Sequence, residues 1–414
     1  MPAIENLKIY WNEEVVGYLG SPKIGAINFT YDKAWIEAEK PAISISLPTA
    51  EEHHPDAAEN FFGNLLPEGD FRKKIEKLFQ VSAANDYSLL QQLGGDCAGV
   101  LSIGSPNNEE EGYYEKISEE QLQNIIRSEG ATGFKGEGIT RLSLAGAQGK
   151  LPVAIKNGEL HLPYKGAPST HIMKFNKSDG QYPRLVENEY FMTRIAHHIG
   201  IKTISCKLVR VKNDVYFISE RYDRDNSSPN WPQRIHQEDF CQALGVSALA
   251  KYEKEGGPSF AACIKMARNH LNLKSIDQML TWVIYNIATG NSDAHGKNIS
   301  FLYENNIPSL APIYDLVCTR AYSKLDRSMA MAIGGTFDPD LVNTKQIDEM
   351  ATSINMTSRY IRNRIVKVTS ALPNAVSKAK LDLEKFGLYS DDMNQIYTTV
   401  EKQISHLTKR FSNK

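Results

Sequence analysis

Asp293 and Asn298 stand five residues apart in the run Asn291-Ser-Asp293-Ala-His295-Gly-Lys297-Asn298. A carboxylate and an amide at that spacing fit the D-x-x-x-x-N of protein-kinase catalytic loops. There the carboxylate accepts the proton of an attacking hydroxyl and the amide holds a magnesium ion. Lys297 adds a cation able to offset charge on a transferring phosphoryl group. Asp, Asn and Gly are also common wherever a chain turns, so the pattern needs support from elsewhere. It comes from ISFLY, Glu304-Asn305-Asn306 and IPSLAPIYD, a predicted hairpin that returns Asp315 beside Asn298 as a second metal-binding group. Tyr314-Asp315-Leu316 stands where kinases carry Asp-Phe-Gly. The carboxylate is present, but the glycine that permits an in/out flip is missing, so no switch of that kind is expected.

A phosphate-binding loop is expected at Ser143-Leu-Ala145-Gly146-Ala147-Gln148-Gly149-Lys150. Small side chains there would let backbone N–H groups approach phosphate oxygens. The run is neither a Walker A sequence nor a full G-x-G-x-x-G, and a simple loop has the same composition. Kinases also need a lysine on the third strand of the small lobe. Val153-Ala-Ile-Lys156 spells V-A-I-K, yet Lys156 directly precedes Asn157-Gly158 and leaves room for only one strand after Gly149. Lys174 in HIMKF lies on the third strand and is the choice here, with Glu189 preferred over Glu187 as its acidic partner on the following helix. Glu220-Arg221-Tyr222 ends the last strand before a helical half. That is the position of a hinge, whose backbone groups read adenine.

The elements that must position these groups follow from periodicity. LKIYWNEEVVGYLG reads as two strands around a turn and AISISLP as an alternating strand; NFFGNLL reads as an apolar helix face. Pro106–Gly112 is a polar linker. LPVAIK and ELHLPY flank Asn157-Gly158, which suits a type I′ hairpin turn. Val186–Ile199 has helical spacing ended by Gly200, and KLVRVKNDVYFISERYD gives two more strands. Beyond 225 the chain reads as helical except for a hairpin at about 299–313. The helix before the catalytic loop has capping-box spacing at Ser275 and Gln278 and ends at Gly290. The expected organisation is α+β: an N-terminal α/β subdomain (1–105), linker and helix (106–135), a mixed-β kinase N-lobe (136–224) and a mostly helical C-lobe (225–414). This is the bilobal order of a protein kinase.

Bulk properties narrow the function. The 414 residues carry 47 basic and 49 acidic side chains, a net charge of −2, which argues against a chain whose main task is gripping a phosphate backbone. No apolar run approaches the ~18–20 residues of a membrane span, and the N-terminus lacks an export pattern. Five scattered cysteines fit reduced thiols in a cytosol. His197-His198 lacks acidic or cysteine neighbours at ligand spacing and reads as structural.

RLSLAGAQGK, STHIMKF, ENEYF, ISERYDR, QEDFCQALG, KYEKEGGP and NSDAHGKN with IYDL, in that order, resemble the HipA family of bacterial toxin kinases. NFFGNLLPEG is similar to that family's N-terminal subdomain, so the resemblance covers essentially the whole chain. It implies a cytoplasmic serine/threonine protein kinase, the toxin of a toxin–antitoxin pair, using ATP and Mg2+. The implied partners are a small helix-turn-helix antitoxin (HipB-like) with its operator DNA, and a translation factor as substrate. Phosphorylation of an aminoacyl-tRNA synthetase, such as the glutamyl enzyme, would arrest growth. On this resemblance Ala145–Lys150 contact the ATP phosphates, Lys174 the α/β-phosphates and Glu220–Tyr222 the adenine. His295, Gly296, Lys297 and Tyr314 complete the ATP-binding set. Asp293 is the base and Asn298 with Asp315 hold magnesium. Ser143 matches an autophosphorylated serine, where a phosphate of about −1.5 to −2 charge would repel the nucleotide. Gly149 departs from the acidic residue that members often carry and is expected to loosen the loop. A small-molecule kinase and a catalytically silent co-repressor are the competing readings. Against the second stand Lys174, Asp293, Asn298 and Asp315, all present.

Overall fold

A computed structural model of the chain describes residues 6–22, 26–49, 54, 56–82, 85–104, 112–134, 148–177, 179–227, 231–388 and 390–411. Residues 106–111 of the expected linker lie outside these. By internal contacts the chain divides into two units. The first comprises Met1–Gln181, Val209–Leu249 and Phe301–Ile307; the second comprises Tyr182–Leu208, Ala250–Ser300 and Pro308–Lys414.

The first unit opens with β1 (Leu7–Trp11), β2 (Glu14–Gly20) and β3 (Asn28–Tyr31), followed by α1 (Lys33–Glu37), α2 (Ala57–Gly63), α3 (Gly69–Phe79) and α4 (Asp86–Leu93). β4 (Leu101–Ile103) completes a sheet of order β3-β2-β1-β4. Ile9 of β1 and Leu19 of β2 turn into the core, and a register shift opposite Ile9/Tyr10 makes Val16 an extra residue that also turns inward; with Phe61 and Phe62 of α2, all five are almost wholly buried. After β5 (Tyr113–Lys116) and α5 (Glu119–Arg127) come β6 (Lys150–Lys156), β7 (Glu159–Tyr164) and β8 (His171–Phe175). With β9 (Cys206–Val211) and β10 (Asp214–Glu220) they form a sheet of order β5-β7-β6-β8-β10-β9. Asn157 and Gly158 both have positive φ (52° and 80°), as the I′ turn between β6 and β7 demands.

Two expectations are corrected in this unit. AISISLP forms no strand, only an isolated bridge between Ser44 and Leu47. Its polar groups are met by side chains far along the sequence. The Ser44 hydroxyl donates to Glu238 Oε2 (2.5 Å), the Ile45 amide donates to Glu238 Oε1 (3.2 Å), and the Ile43 carbonyl meets His236 Nε2 (2.9 Å). The stretch after 224 also holds more β structure than expected: β11 (Arg224–Asp225), β12 (Gln233–Arg234) and β13 (His236–Asp239), before α7 (Phe240–Ala243). All four residues of β13 are buried although none is aliphatic, so no hydrophobic pattern announces the strand.

Glu238 is wholly buried, and burial pushes its carboxyl up from 4.5 to about 7 against the hydrogen bonds from Ser44, Tyr303 and Ile45. The folded state therefore binds this proton more tightly than the unfolded chain. The associated stability is fully present below about pH 4.5 and is lost as pH rises through 7. His236 beside it is pushed down to about 4 by burial and contributes with the opposite sign, gaining stability as pH rises toward 6.5. Comparing the chain with Glu238→Gln isolates the glutamate. Urea unfolding should move the difference in stability in favour of the variant between pH 5 and 8, by up to about 3 kcal/mol. A pH-independent difference would disprove the assignment.

The second unit is helical: α6 (Leu185–His198), α8 (Phe260–His270), α9 (Leu273–Thr289), α10 (Thr344–Ser353), α11 (Ser358–Lys385) and α12 (Ser390–Phe411). Trp282 and Tyr285 of α9 are buried, and the Tyr285 hydroxyl donates to the Met192 carbonyl of α6 at 2.6 Å. Arg194 of α6 and Asp382 of α11 pair at 2.8 Å, and His198 reaches the same carboxylate at 3.0 Å. The histidine of the His-His pair thus has a structural partner. The start of α9 is corrected. Asn272 caps it, accepting from the Ser275 amide at 2.9 Å, so Ser275 lies one turn inside the helix. Gly290 ends it in the left-handed region (φ 79°). The hairpin of β14 (Ser300–Glu304) and β15 (Ile307–Leu310) turns on Asn305 and Asn306, both at positive φ.

Candidate active site

The loop after α9 is fixed almost entirely by its own side chains. Asn291 donates to Asn286 Oδ1 (2.9 Å) and accepts from the Asp293 amide (3.1 Å). Ser292 receives its neighbours from two directions: its amide donates to Thr319 Oγ1 (2.8 Å) and its hydroxyl to the Arg327 carbonyl (3.0 Å). The Asn298 amide nitrogen donates to the Asp293 carbonyl at 2.9 Å, closing the loop from Asp293 to Asn298. Asn291, Ser292, His295, Lys297 and Asn298 are buried, whereas the Asp293 side chain is 42% exposed. One carboxylate therefore faces outward from a rigid, hydrogen-bonded cradle. A proton acceptor for a solvent-borne hydroxyl needs that combination.

Asp315 reaches the same neighbourhood through the segment that follows β15. Ile313 exchanges main-chain bonds with Lys202 (2.8 Å) and Ile204 (3.0 Å). The Tyr314 hydroxyl donates to the Lys297 carbonyl at 2.7 Å and lies 2.6 Å from Ser300 Oγ. Tyr314, expected to touch ATP, thus braces Asp315's segment against the catalytic loop. Asp315 sits at φ 56°, in the left-handed region that Asp and Asn enter more readily than other non-glycine residues. Just beyond it, Asn188 of α6 clamps Cys318: the Cys318 amide donates to Oδ1 (2.9 Å) and Nδ2 donates to the Cys318 carbonyl (3.2 Å). With Leu316 buried in the glycine position, the segment is held at both ends.

A magnesium ion demands hard oxygen donors and accepts few from protein when phosphates supply the rest. Asn298 and Asp315 meet that requirement. Because the Asn298 nitrogen is committed to the Asp293 carbonyl, its oxygen is the end left to meet a cation.

In the first unit, Lys174 is 9% exposed on β8, with its ammonium 5.9 Å from the Phe217 ring centroid. Lys150 of β6 lies directly across from it in register. Lys156, the V-A-I-K lysine, sits 4.6 Å over the Tyr114 ring instead. Gln148 Nε2 donates to the Phe175 carbonyl at 3.0 Å, tying the end of the expected phosphate loop to β8. Ser143, Ala145, Gly146 and Ala147 lie outside the described residues. Gly149 itself is buried, and a Cβ there would lie 2.4 Å from the Glu129 carbonyl oxygen. Glycine is needed for close approach of two backbones.

Arg221 differs from its neighbours Glu220 and Tyr222. Its amide donates to the Thr170 carbonyl (2.9 Å), and its guanidinium donates to Asp96 Oδ2 (3.1 Å) and Asp223 Oδ2 (2.7 Å). Burial alone would lower its pKa, and the carboxylates of Asp223 and Asp96 more than reverse that. Its role is to anchor the 220–222 segment. The Tyr222 hydroxyl donates to Gln237 Oε1 at 2.6 Å.

Two residues near the chemistry carry no local signal. Tyr252 donates its hydroxyl to Asp293 Oδ1 at 2.6 Å, from 41 residues upstream. Asn188 was visible only as the residue before Glu189. Both Glu187 and Glu189 are fully buried on α6, and Arg184 pairs with Glu187 at 3.1 Å. Among the described residues there is no group of three or more His, Cys, Asp or Glu side chains able to hold a metal. No helix among them is long and apolar enough to cross a membrane.

Comparison with known proteins agrees over both units. A family model described as the HipA-like C-terminal domain matches residues 142–376, and one described as the HipA N-terminal domain matches 7–104. The chain is 35% identical over 407 residues to the protein Y4mE of Sinorhizobium fredii, covering 95% of this chain and 96% of the relative. It is 30% identical over 395 residues to the serine/threonine-protein kinase toxin HipA of Shewanella oneidensis, covering 88% and 89%. Among solved structures, the Shewanella oneidensis HipA, HipB and operator DNA complex matches with a TM-score of 0.84 and 26% identity. That match covers 98% of this chain and 97% of the other.

Proposed function

The chain belongs to the HipA family of kinase-like α+β proteins, and from that premise we propose that it is an active serine/threonine protein kinase, the toxin of a toxin–antitoxin pair. The observation that carries this reading is Asp293: an outward-facing carboxylate in a buried loop whose amide, Asn298, and whose braced neighbour, Asp315, form a magnesium-compatible pair. Asp293 accepts the proton of a serine or threonine hydroxyl as it attacks the γ-phosphate of ATP. Asn298 and Asp315 would hold magnesium, which would supply positive charge to offset that of the phosphates. Lys297 offsets charge on the phosphoryl in flight, and Lys174, with Lys150 across from it, pairs with the α/β-phosphates. Glu220–Tyr222 hold adenine through their backbone, with Arg221 fixing the segment. His295 and Gly296 complete the nucleotide contacts, and residues 145–149 cover the phosphates.

The substrate in this reading is a cytoplasmic translation factor, an aminoacyl-tRNA synthetase such as the glutamyl enzyme. The partner is a HipB-like helix-turn-helix antitoxin and, through it, operator DNA. The support is the similarity to a HipA solved with HipB and its operator. Ser143 is the site of self-inactivation, because a phosphate there would repel the nucleotide.

The test is transfer of labelled phosphate from MgATP to the chain and to a cytosolic lysate, with the labelled lysate protein identified by mass and the labelled residue of the chain by peptide mapping. A discrete lysate protein and label on Ser143 are expected. Lys174→Met should weaken MgATP binding about tenfold, since one charge-assisted contact is lost. Label passing only to small molecules would overturn the protein-kinase reading.

A further inference from the structure

Tyr252 lies outside every role assigned so far, yet its hydroxyl makes a 2.6 Å hydrogen bond to Asp293 Oδ1. We propose that Tyr252 is a positioning residue for phosphoryl transfer: it occupies Oδ1 of Asp293 and so presents Oδ2 to the acceptor hydroxyl. The inference rests on the phosphotransferase reading above and deepens it.

The phenol is built to stay. Its ring packs at 76° to the His295 ring with centroids 5.5 Å apart, and His295 belongs to the catalytic loop itself. The Tyr252 carbonyl accepts from the Gly257 amide at 2.9 Å. Next to it, the Glu253 amide donates to the Ala330 carbonyl (2.9 Å), and Glu253 Oε2 accepts from the Ala332 amide (2.6 Å). The Ala330 amide in turn donates to the Ser292 carbonyl at 2.9 Å, and Ser292 precedes Asp293. Tyr252 and Asp293 are therefore joined twice, once through the phenol and once through a main-chain circuit by way of Ala330. A hydroxyl that merely filled in for an absent acceptor would not need its backbone pinned on both sides.

A half-exposed carboxylate on its own turns over a broad range about its Cβ–Cγ bond, and only part of that range directs an oxygen at the acceptor. Fixing Oδ1 removes that freedom before the acceptor arrives. In the reaction the acceptor oxygen bonds to the γ-phosphorus, and the bond from phosphorus to the ADP oxygen breaks with its electron pair. The acceptor proton passes to Oδ2.

The test is Tyr252→Phe, which keeps the ring against His295 and deletes only the donor. The rate measured is MgATP-dependent phosphate incorporation into the mixed proteins of a cytosolic lysate, compared with wild type and Asp293→Ala. Loss of one hydrogen bond to an ionised group predicts a fall in kcat of roughly 10- to 100-fold. KM for MgATP should stay within about twofold, because the contact is not to the nucleotide. The thermal midpoint should be unchanged. Transfer lost in Asp293→Ala but unchanged or raised in Tyr252→Phe would overturn the Tyr252 assignment alone. A Tyr252→Phe variant with equal losses in kcat and MgATP affinity would also overturn it, pointing to a general structural part. No transfer by the wild-type chain would overturn the phosphotransferase reading and this assignment with it.

Discussion

Asp293→Ala is expected to lower phosphate transfer by roughly 100- to 10,000-fold, the contribution of a positioned general base. MgATP affinity and the thermal midpoint should hardly change. The carboxylate is 42% exposed, so its removal leaves no buried charge unpaired. The hydrogen bonds that shape the loop come from the backbone of Asp293 rather than its side chain: its amide donates to Asn291 Oδ1 and its carbonyl accepts from Asn298 Nδ2. Alanine keeps both. Transfer of labelled phosphate and calorimetric titration with MgATP check the two halves separately. A variant that binds MgATP and still transfers phosphate at the wild-type rate would remove Asp293 from the chemistry. The catalytic loop would then be only a nucleotide-binding element.

That prediction could be made from sequence because the loop is local. Asp293 and Asn298 are near neighbours, and the hairpin that leads on to Asp315 announces itself through Asn305-Asn306 between two short strand-like runs. Counting strands favours Lys174 over Lys156; Lys156 packs over Tyr114, and Lys174 lies on β8. Tyr252 and Asn188 are different. Each reaches a loop 41 or 130 residues away through its side chain, and neither leaves a spacing that periodicity can detect. The same reason explains the misread AISISLP segment. Its alternation mimics a strand, but its donors and acceptors are met by Glu238 and His236, some 190 residues on. Burial by polar contact is invisible to a hydrophobic pattern, and β13, buried without an aliphatic residue, is the extreme case.

The largest expected loss of stability lies in the first unit, at Asp96→Asn. Asp96 is fully buried and accepts from three guanidiniums: Arg224 (2.6 Å) and Arg234 (3.0 Å) at Oδ1, and Arg221 (3.1 Å) at Oδ2. Ser169 adds its amide (3.0 Å) and hydroxyl (2.6 Å) at Oδ2. Burial alone would raise this carboxyl's pKa, but the three arginines hold it well below the ordinary carboxylate range. With a depressed folded pKa, the stability it contributes is fully present above about pH 3.8 and is lost only as pH falls further. An asparagine has the same shape but no charge, and half of its end is a donor facing donors. Asp223, bonded to Arg221 and Arg224, would then be the remaining carboxylate of the cluster. Removing one partner from a buried ionic network costs about 3–5 kcal/mol, a large part of the 5–15 kcal/mol typical of a folded domain. Added salt should not restore it, because the side chains are 0–1% exposed and unscreened. Urea unfolding at pH 7 checks the size of the loss. The damage should also reach function, since Arg221 anchors the 220–222 segment proposed to hold adenine. MgATP affinity should fall together with stability in Asp96→Asn, whereas in Asp293→Ala it stays. Equal stability of Asp96→Asn and wild type would show that the three arginines find other partners, and that the network does not hold this segment in place.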